Sequence, residues 1–98
     1  MNDFSDLRGK VAAITGGSGI IGKTLARGLC NAGINAIILD YKPERGKLTA
    51  KEISAGAEGG TAICFAADVT DRESLIRARE KIREKFGALD FLINCAGG

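Results

Sequence analysis

Residues 11–22 read VAAITGGSGIIG, an apolar run that passes directly into a cluster of glycines, and a helical stretch follows in residues 23–30. This order of strand, glycine loop and helix suits a bound pyrophosphate. Such a ligand needs a tight turn, backbone N–H groups without an obstructing Cβ, and a helix N-terminus whose dipole faces the anion. Gly17, Gly19 and Gly22 have the G-x-G-x-x-G spacing of the dinucleotide fingerprint. The stretch therefore predicts a phosphate-binding loop.

The glycine spacing is a weak signal alone, because 14 glycines in 98 residues make chance matches common and an ordinary strand-to-helix turn has the same pattern. A second signal is Asp40, which ends the next apolar run roughly 20 residues after Gly22, as the fingerprint requires. Its carboxylate can accept hydrogen bonds from the adenosine ribose hydroxyls and would repel a 2′-phosphate, which favours NAD over NADP. Alternatively, Asp40 only closes a strand, and Lys42 or Arg45 could weaken the discrimination.

Two later strands also end in polar or small residues. Asp68 follows the third apolar run, and Asn94 ends the fourth. Because the carboxyl ends of parallel strands open on one edge of a sheet, we expect both residues beside the glycine loop and Asp40. A carboxylate at Asp68 could accept a hydrogen bond from the adenine amino group, and the Asn94 amide could tie neighbouring strand ends together. Each motif alone also fits a plain turn, so the prediction depends on their convergence.

Apolar runs alternate with helical stretches along the whole chain. Four runs predict strands, at residues 10–15, 35–40, 61–66 and 89–94. Three stretches predict helices: 19–32, the segment after Pro43, and 71–86, which has a capping box from Thr70 to Glu73 and a stop at Gly87. This alternation is typical of a parallel sheet with right-handed crossovers and helices on both faces. The chain is therefore predicted to be α/β, with residues 1–98 as the N-terminal part of a single Rossmann-type domain.

Composition excludes several functional classes. A net charge of +2 and 27% charged residues give no basic excess, so neither nucleic acid nor an anionic membrane is an expected partner. No apolar run approaches the roughly 20 residues that span a bilayer, and the N-terminal segment lacks an apolar signal core, which predicts a cytoplasmic protein. The three cysteines form no Cys-x-x-Cys pair and there is no histidine, so we expect neither a metal site nor a His-dependent triad.

Taken in order, four motifs resemble the cofactor motifs of the short-chain dehydrogenase/reductase family: Thr15-Gly16 with Gly22, Asp40, Asp68-Val69, and Asn94-x-Ala96-Gly97. The resemblance spans nearly the whole chain. It implies a truncated half of a doubly wound parallel sheet, ordered 3-2-1-4 with three helices. It also implies NAD phosphates over the glycine loop, ribose on Asp40, adenine beside Asp68 and the nicotinamide ribose near Asn94. The implied cofactor-binding residues are Gly16, Gly17, Ser18, Gly19, Ile21, Gly22, Asp40, Tyr41, Asp68, Val69, Asn94, Ala96 and Gly97.

Two positions depart from the family pattern. Ile20 stands where the family usually has Gly, which Gly19 partly offsets, and Cys95 stands where it usually has Asn. The loop TGGSGIIG together with NCAGG is similar to the subgroup that oxidises or reduces sugar acids, such as mannonate and fructuronate oxidoreductases. The resemblance thus implies a sugar acid as substrate class.

No catalytic residue is predicted within this chain. The family's catalytic Tyr-x-x-x-Lys, and the Ser before it, lie beyond the fourth strand, whereas this sequence stops at Gly98. Tyr41 and Arg45 have a similar spacing, but an arginine stays protonated and cannot relay a proton. We therefore expect the cofactor-binding segment of an NAD-dependent oxidoreductase that interconverts an alcohol and a carbonyl, inactive alone. The alternatives are a stand-alone, non-catalytic nucleotide-binding module and a scaffold for protein contacts.

The implied partners are NAD(H) and, in the intact enzyme, a small alcohol or carbonyl substrate. In a 3-2-1-4 sheet the apolar run at residues 89–94 becomes an edge with unpaired backbone groups, which invites pairing with another chain. We therefore expect either self-association or poor stability of this segment alone, and a homo-oligomer as the assembly.

Overall fold

The structure, a computed structural model, describes residues 7–16, 18–56 and 59–95. Four strands and three helices alternate within them: β1 (Val11–Thr15), α1 (Ile20–Asn31), β2 (Asn35–Asp40), α2 (Pro43–Gly56), β3 (Ala62–Ala66), α3 (Arg72–Phe86) and β4 (Phe91–Asn94). All strand pairs are parallel, in the order β3-β2-β1-β4. The predicted α/β class, strand order and three helices are confirmed.

The two central strands, β1 and β2, form the buried middle of the sheet. Every residue of β1 is buried, and so is every residue of β2 after Asn35. Strands covered on both faces read as nearly continuous apolar runs, as these two do. The edge strands are less covered, and Phe91 and Leu92 of β4 are 41% and 65% exposed.

Each face of the sheet carries its own apolar cluster. Ile14 and Ile38 project to the face covered by α1 and α2, where they pack with Cys30 and Ile53. The alternate positions pack on the opposite face against α3, through Ala13, Ile37, Leu39, Ala78 and Ile82. This division follows from the alternation of side chains along a strand, and it makes the sheet doubly wound.

The ends of α3 confirm one prediction and correct another. Gly87 ends the helix at a φ of 82°, and its amide donates to the Arg83 carbonyl. The prediction of a capping box from Thr70 to Glu73 is wrong. The N-cap is Asp71, whose side chain accepts a hydrogen bond from the Glu73 amide. Thr70 does not cap the helix because its hydroxyl donates to Asp68 Oδ1 over 2.7 Å. Its side chain thus orders the preceding loop.

The beginnings of β1 and β4 are joined through Asp90. The Val11 amide donates to Asp90 Oδ2 over 2.8 Å, and the Asp90 amide donates to the Val11 carbonyl over 2.9 Å. Val11 is 2% exposed. The carboxylate thus satisfies the amide of a buried residue at the strand's first position, where a lost acceptor is costly.

We expect Asp90→Ala to lower the free energy of unfolding by about 1–3 kcal/mol, since it removes a charged acceptor from the Val11 amide. Asp90→Asn keeps one acceptor oxygen and should lose less. Urea denaturation followed by circular dichroism measures both differences. Equal losses in the two variants would show that this hydrogen bond contributes little.

Candidate nucleotide-binding site

The carboxyl ends of the strands border a cavity of about 510 Å³ beside the glycine loop. Six predicted site residues line it: Gly16, Gly19, Asp40, Tyr41, Asp68 and Val69. Arg45, Thr70 and Cys95 line it as well. The expected convergence of the loop with the ends of β2 and β3 is therefore present in the structure.

The other predicted site residues lie elsewhere or are not described. Asn94 borders a neighbouring groove between β4 and α3, and the Ile21 side chain is 76% exposed on the outer surface of α1. Gly22 is buried in the first turn of α1. Gly17, Ala96 and Gly97 lie outside the described residues.

The glycine loop has the backbone that an anion site requires. Gly16 has a φ of +67°, a left-handed conformation that favours glycine, and its carbonyl accepts from the Gly19 amide over 3.0 Å. A Cβ on Gly19 would lie 3.4 Å from the Gly16 carbonyl oxygen, which is an ordinary van der Waals contact. Gly19 is the N-cap of α1 and supplies no side-chain acceptor, which leaves first-turn amides for a ligand. This set of donors fits a pyrophosphate.

Asp40 is a buried carboxylate at the end of β2, only 4% exposed. Burial would raise its pKa, but hydrogen bonds from Arg45 and the Lys42 amide outweigh this effect and hold the pKa below its ordinary value. Ser18 Oγ is also buried and forms no hydrogen bond of standard geometry within the described residues, yet it lies close enough to help lower that pKa. Asp40 is therefore an ionised acceptor at neutral pH.

Asp68 is held by the residues that follow it. Its Oδ1 accepts from both the hydroxyl and the amide of Thr70, and these two bonds lower the pKa of the carboxyl. Its amide donates to Ser74 Oγ, at the start of α3. Within the described part of the chain, Oδ2 accepts no hydrogen bond. Thr70 was not among the predicted site residues, although the Asp-x-Thr sequence is typical of an Asx turn and could have indicated it.

The ends of β1 and β4 are tied by side chains, as predicted for Asn94. The Thr15 hydroxyl donates to Asn94 Oδ1 over 2.8 Å, directly across the parallel register of the two strands. The Cys95 amide then donates to the Thr15 carbonyl over 3.1 Å. The carboxyl end of β4 is thus fixed next to the glycine loop.

The first turn of α2 packs tightly on the sheet beneath Asp40. A Cβ added to Gly46 would overlap Cys64 Sγ of β3 and lie 3.3 Å from Asp40 Cβ. The absence of a side chain at Gly46 therefore lets α2 approach the sheet closely. This approach places Arg45, the preceding residue, within hydrogen-bond distance of the Asp40 carboxylate.

All three cysteines are free thiols, and burial raises the pKa of Cys30 and Cys64. Among the described residues, no group of three or more His, Cys, Asp or Glu side chains could hold a metal ion. No helix in that part of the chain is long and apolar enough to cross a membrane.

Comparison with known proteins gives consistent matches. The family model of short chain dehydrogenase matches residues 10–98. The uncharacterized oxidoreductase UxuB of Bacillus subtilis (strain 168) is 52% identical over 93 residues, covering 95% of this chain and 33% of that protein. The 3-hydroxyacyl-CoA dehydrogenase type-2 of Rattus norvegicus is 36% identical over 91 residues, covering 93% of this chain and 33% of its own length. This chain thus spans about a third of these relatives.

Solved structures of similar fold also match this chain. A crystal structure described as "putative D-Mannonate oxidoreductase from Haemophilus influenza", with bound NAD, superposes with a TM-score of 0.85 at 33% identity. The match covers 99% of this chain and 35% of that one. NAD+-bound xylitol dehydrogenase superposes with a TM-score of 0.83 at 32% identity, covering 94% of this chain and 35% of its own.

We expect Gly46→Ala to destabilise the chain, because the new methyl group meets the Cys64 sulfur and pushes α2 off the sheet. Cys64→Ala removes that sulfur and should restore part of the loss, with a coupling energy of about 1–3 kcal/mol in a double-mutant cycle. Denaturation of the four proteins measures it. Additive effects would mean that the overlap does not determine the position of α2.

Proposed function

Because the chain belongs to the short chain dehydrogenase family, we propose that it forms the NAD-binding part of an oxidoreductase that interconverts an alcohol and a carbonyl group. We take residues 1–98 as the N-terminal part of a single Rossmann domain. The observation that carries the proposal is the buried, ionised carboxylate of Asp40 beside an uncapped glycine loop. Family membership favours an enzyme over a stand-alone nucleotide-binding module.

Each part of the dinucleotide has proposed contacts. The pyrophosphate would lie on the loop formed by Gly16, Gly17, Ser18, Gly19, Ile21 and Gly22, where backbone amides would bind it. Asp40 and Tyr41 would hold the adenosine ribose, Asp68 and Val69 the adenine, and Asn94, Ala96 and Gly97 the nicotinamide ribose. Ile21 would contribute its backbone only, because its side chain is exposed on the outer surface of α1.

The chemistry of hydride transfer would be supplied by NAD when bound. This chain would orient the dinucleotide, while the proton donor would come from a part of the enzyme that this chain does not include. We propose NAD rather than NADP, since the Asp40 carboxylate would meet a 2′-phosphate with a like charge. The NAD bound in the two structural relatives supports this choice.

For the substrate we propose a sugar acid. One line of support is the similarity of the segments TGGSGIIG and NCAGG to the subgroup that acts on sugar acids. The other is the likeness to the D-mannonate oxidoreductase structure. Xylitol dehydrogenase and 3-hydroxyacyl-CoA dehydrogenase type-2 are relatives of the same family whose names denote other substrates. The cytoplasmic location remains a prediction.

NAD binding tests the proposed function directly. In titration calorimetry, the chain should bind NAD, and Asp40→Ala should weaken binding at least about tenfold because it removes a charged acceptor from the ribose hydroxyls. Glu84→Ala, which removes an exposed carboxylate from α3, is the matched control and should change nothing. A correctly folded chain that does not bind NAD would contradict the proposal.

We also propose that the chain self-associates through β4, whose residues Phe91 and Leu92 are exposed at the edge of the sheet. Leu92→Lys should shift the assembly towards monomer, because a charge on an edge strand opposes pairing. Leu48→Lys on α2 alters a residue of similar exposure and serves as the control. Sedimentation velocity measures the difference, and a wild-type chain that stays monomeric at high concentration would refute the proposal.

A further inference from the structure

An ion pair ties the amino-terminal half of α1 to α2. The Lys23 ammonium donates to Glu52 Oε2 over 2.7 Å, and this hydrogen bond and the positive charge of Lys23 hold the pKa of the Glu52 carboxyl below its ordinary value. Both side chains are partly exposed, Lys23 by 34% and Glu52 by 47%. Within the residues that the structure describes, no other ion pair joins two helices. The Lys23 ammonium is therefore held on α2.

Lys23 lies one helical turn from the glycine loop. Its amide donates to the carbonyl of Gly19, the N-cap of α1, over 2.8 Å. A turn rises about 5.4 Å along the axis, and the Cα–Cβ bonds of a helix are tilted toward its N-terminus. Because a lysine has a flexible four-carbon stem, the ammonium of an unpaired Lys23 can reach the end of α1, where first-turn amides are left for a ligand.

Helix α1 carries two charged side chains, Lys23 and Arg27, which are both cationic and four residues apart. Like charges at this spacing repel each other, and the helix dipole opposes a cation near the N-terminus. The Glu52 carboxylate compensates both cations, and the charge of Arg27 also contributes to lowering its pKa. A phosphate at the glycine loop would supply a second anion near Lys23. Glu52 and the phosphate would therefore compete for one ammonium.

We propose that Glu52 is a positioning residue that holds Lys23 on α2, so that the glycine loop binds a pyrophosphate through backbone amides and without the lysine. The inference rests on the proposed function, since it concerns a dinucleotide at this loop. Glu52 is not among the residues that line the cavity beside the loop, and it acts on the ligand through Lys23. The ion pair thereby keeps the dinucleotide affinity moderate. This suits an oxidoreductase, because product release limits the turnover of many enzymes.

The test is a double-mutant cycle of Lys23 and Glu52, with NAD affinity measured by titration calorimetry. The salt concentration is about 0.1 M, at which exposed charges more than about 10 Å apart are largely screened. Glu52→Gln frees the ammonium and should tighten NAD binding at least about threefold, because a charge-assisted contact to the phosphate is added. In the Lys23→Met background, the same substitution should change NAD affinity less than about 1.5-fold.

Two fragments of the dinucleotide separate an effect on the phosphates from a general change of the fold. Inorganic pyrophosphate and adenosine are added in separate titrations, while NMR records the amide chemical shifts of Gly19 and Asp40. Glu52→Gln should tighten pyrophosphate binding at least about threefold and should change adenosine affinity less than about 1.5-fold. A merely structural role of the ion pair would alter both fragments alike.

Matched controls remove similar charges at other positions. Glu84→Gln removes an exposed carboxylate from α3, and Arg27→Met removes the other cation of α1. Each should change pyrophosphate affinity less than about 1.5-fold, since neither frees an ammonium near the loop. Lys23→Arg keeps a cation beside Glu52 and covers the case in which Lys23→Met is poorly folded. In the Lys23→Arg background, Glu52→Gln should again tighten pyrophosphate binding.

The outcomes separate the inference from the proposed function. Unchanged or weaker NAD binding by Glu52→Gln, or an equal effect in the wild-type and Lys23→Met backgrounds, would overturn the inference alone, provided that the wild type binds NAD. A folded wild-type chain that binds neither NAD nor pyrophosphate would overturn the proposed function and the inference with it. Tighter binding of NAD and pyrophosphate that requires Lys23 would support the role of Glu52.

Discussion

The parallel pairing of β1 with β2 on one side and β4 on the other is the constraint on which the site depends. In this register Thr15 lies opposite both Leu39 and Asn94, so β1 and β4 end at the same level and β2 ends one residue later. β1 is buried along its whole length, and its end leads straight into the loop at Gly16. The fold thus brings groups distant in sequence to one edge, as open α/β sheets do at their carboxyl ends.

At this edge, the cavity beside the glycine loop contains a buried, ionised carboxylate. A buried carboxylate such as Asp40 is unfavourable unless its charge is compensated, and here an arginine and a backbone amide compensate it. The same arginine leaves donors available to the cavity. The arginine that compensates the charge of Asp40 thus also lines the proposed dinucleotide site. The close approach of α2, made possible by Gly46, links the packing of the sheet to this chemistry.

Much of the fold was predictable because it depends on local periodicity and on rules for parallel sheets. The strands and the helix stop at Gly87 follow from short-range patterns, whereas the order 3-2-1-4 was implied by the family resemblance. The capping residue of α3 was not predicted, since Thr70 and Asp71 are both good caps and the competing bond to Asp68 decided between them. The contact between Gly46 and Cys64 joins α2 to β3 and has no local signal in the sequence. The two hydrogen bonds from Arg45 to the Asp40 carboxylate also depend on that packing.

The central claim is that the glycine loop and the ends of β2 and β3 form one dinucleotide site. Amide chemical shifts recorded by NMR while NAD is added to the chain test this claim most directly. The account predicts that the largest changes occur at Gly16, Gly19, Asp40 and Asp68, with little change at the far end of α3 near Gly87. Changes concentrated at that far end, with none at the four site residues, would contradict it.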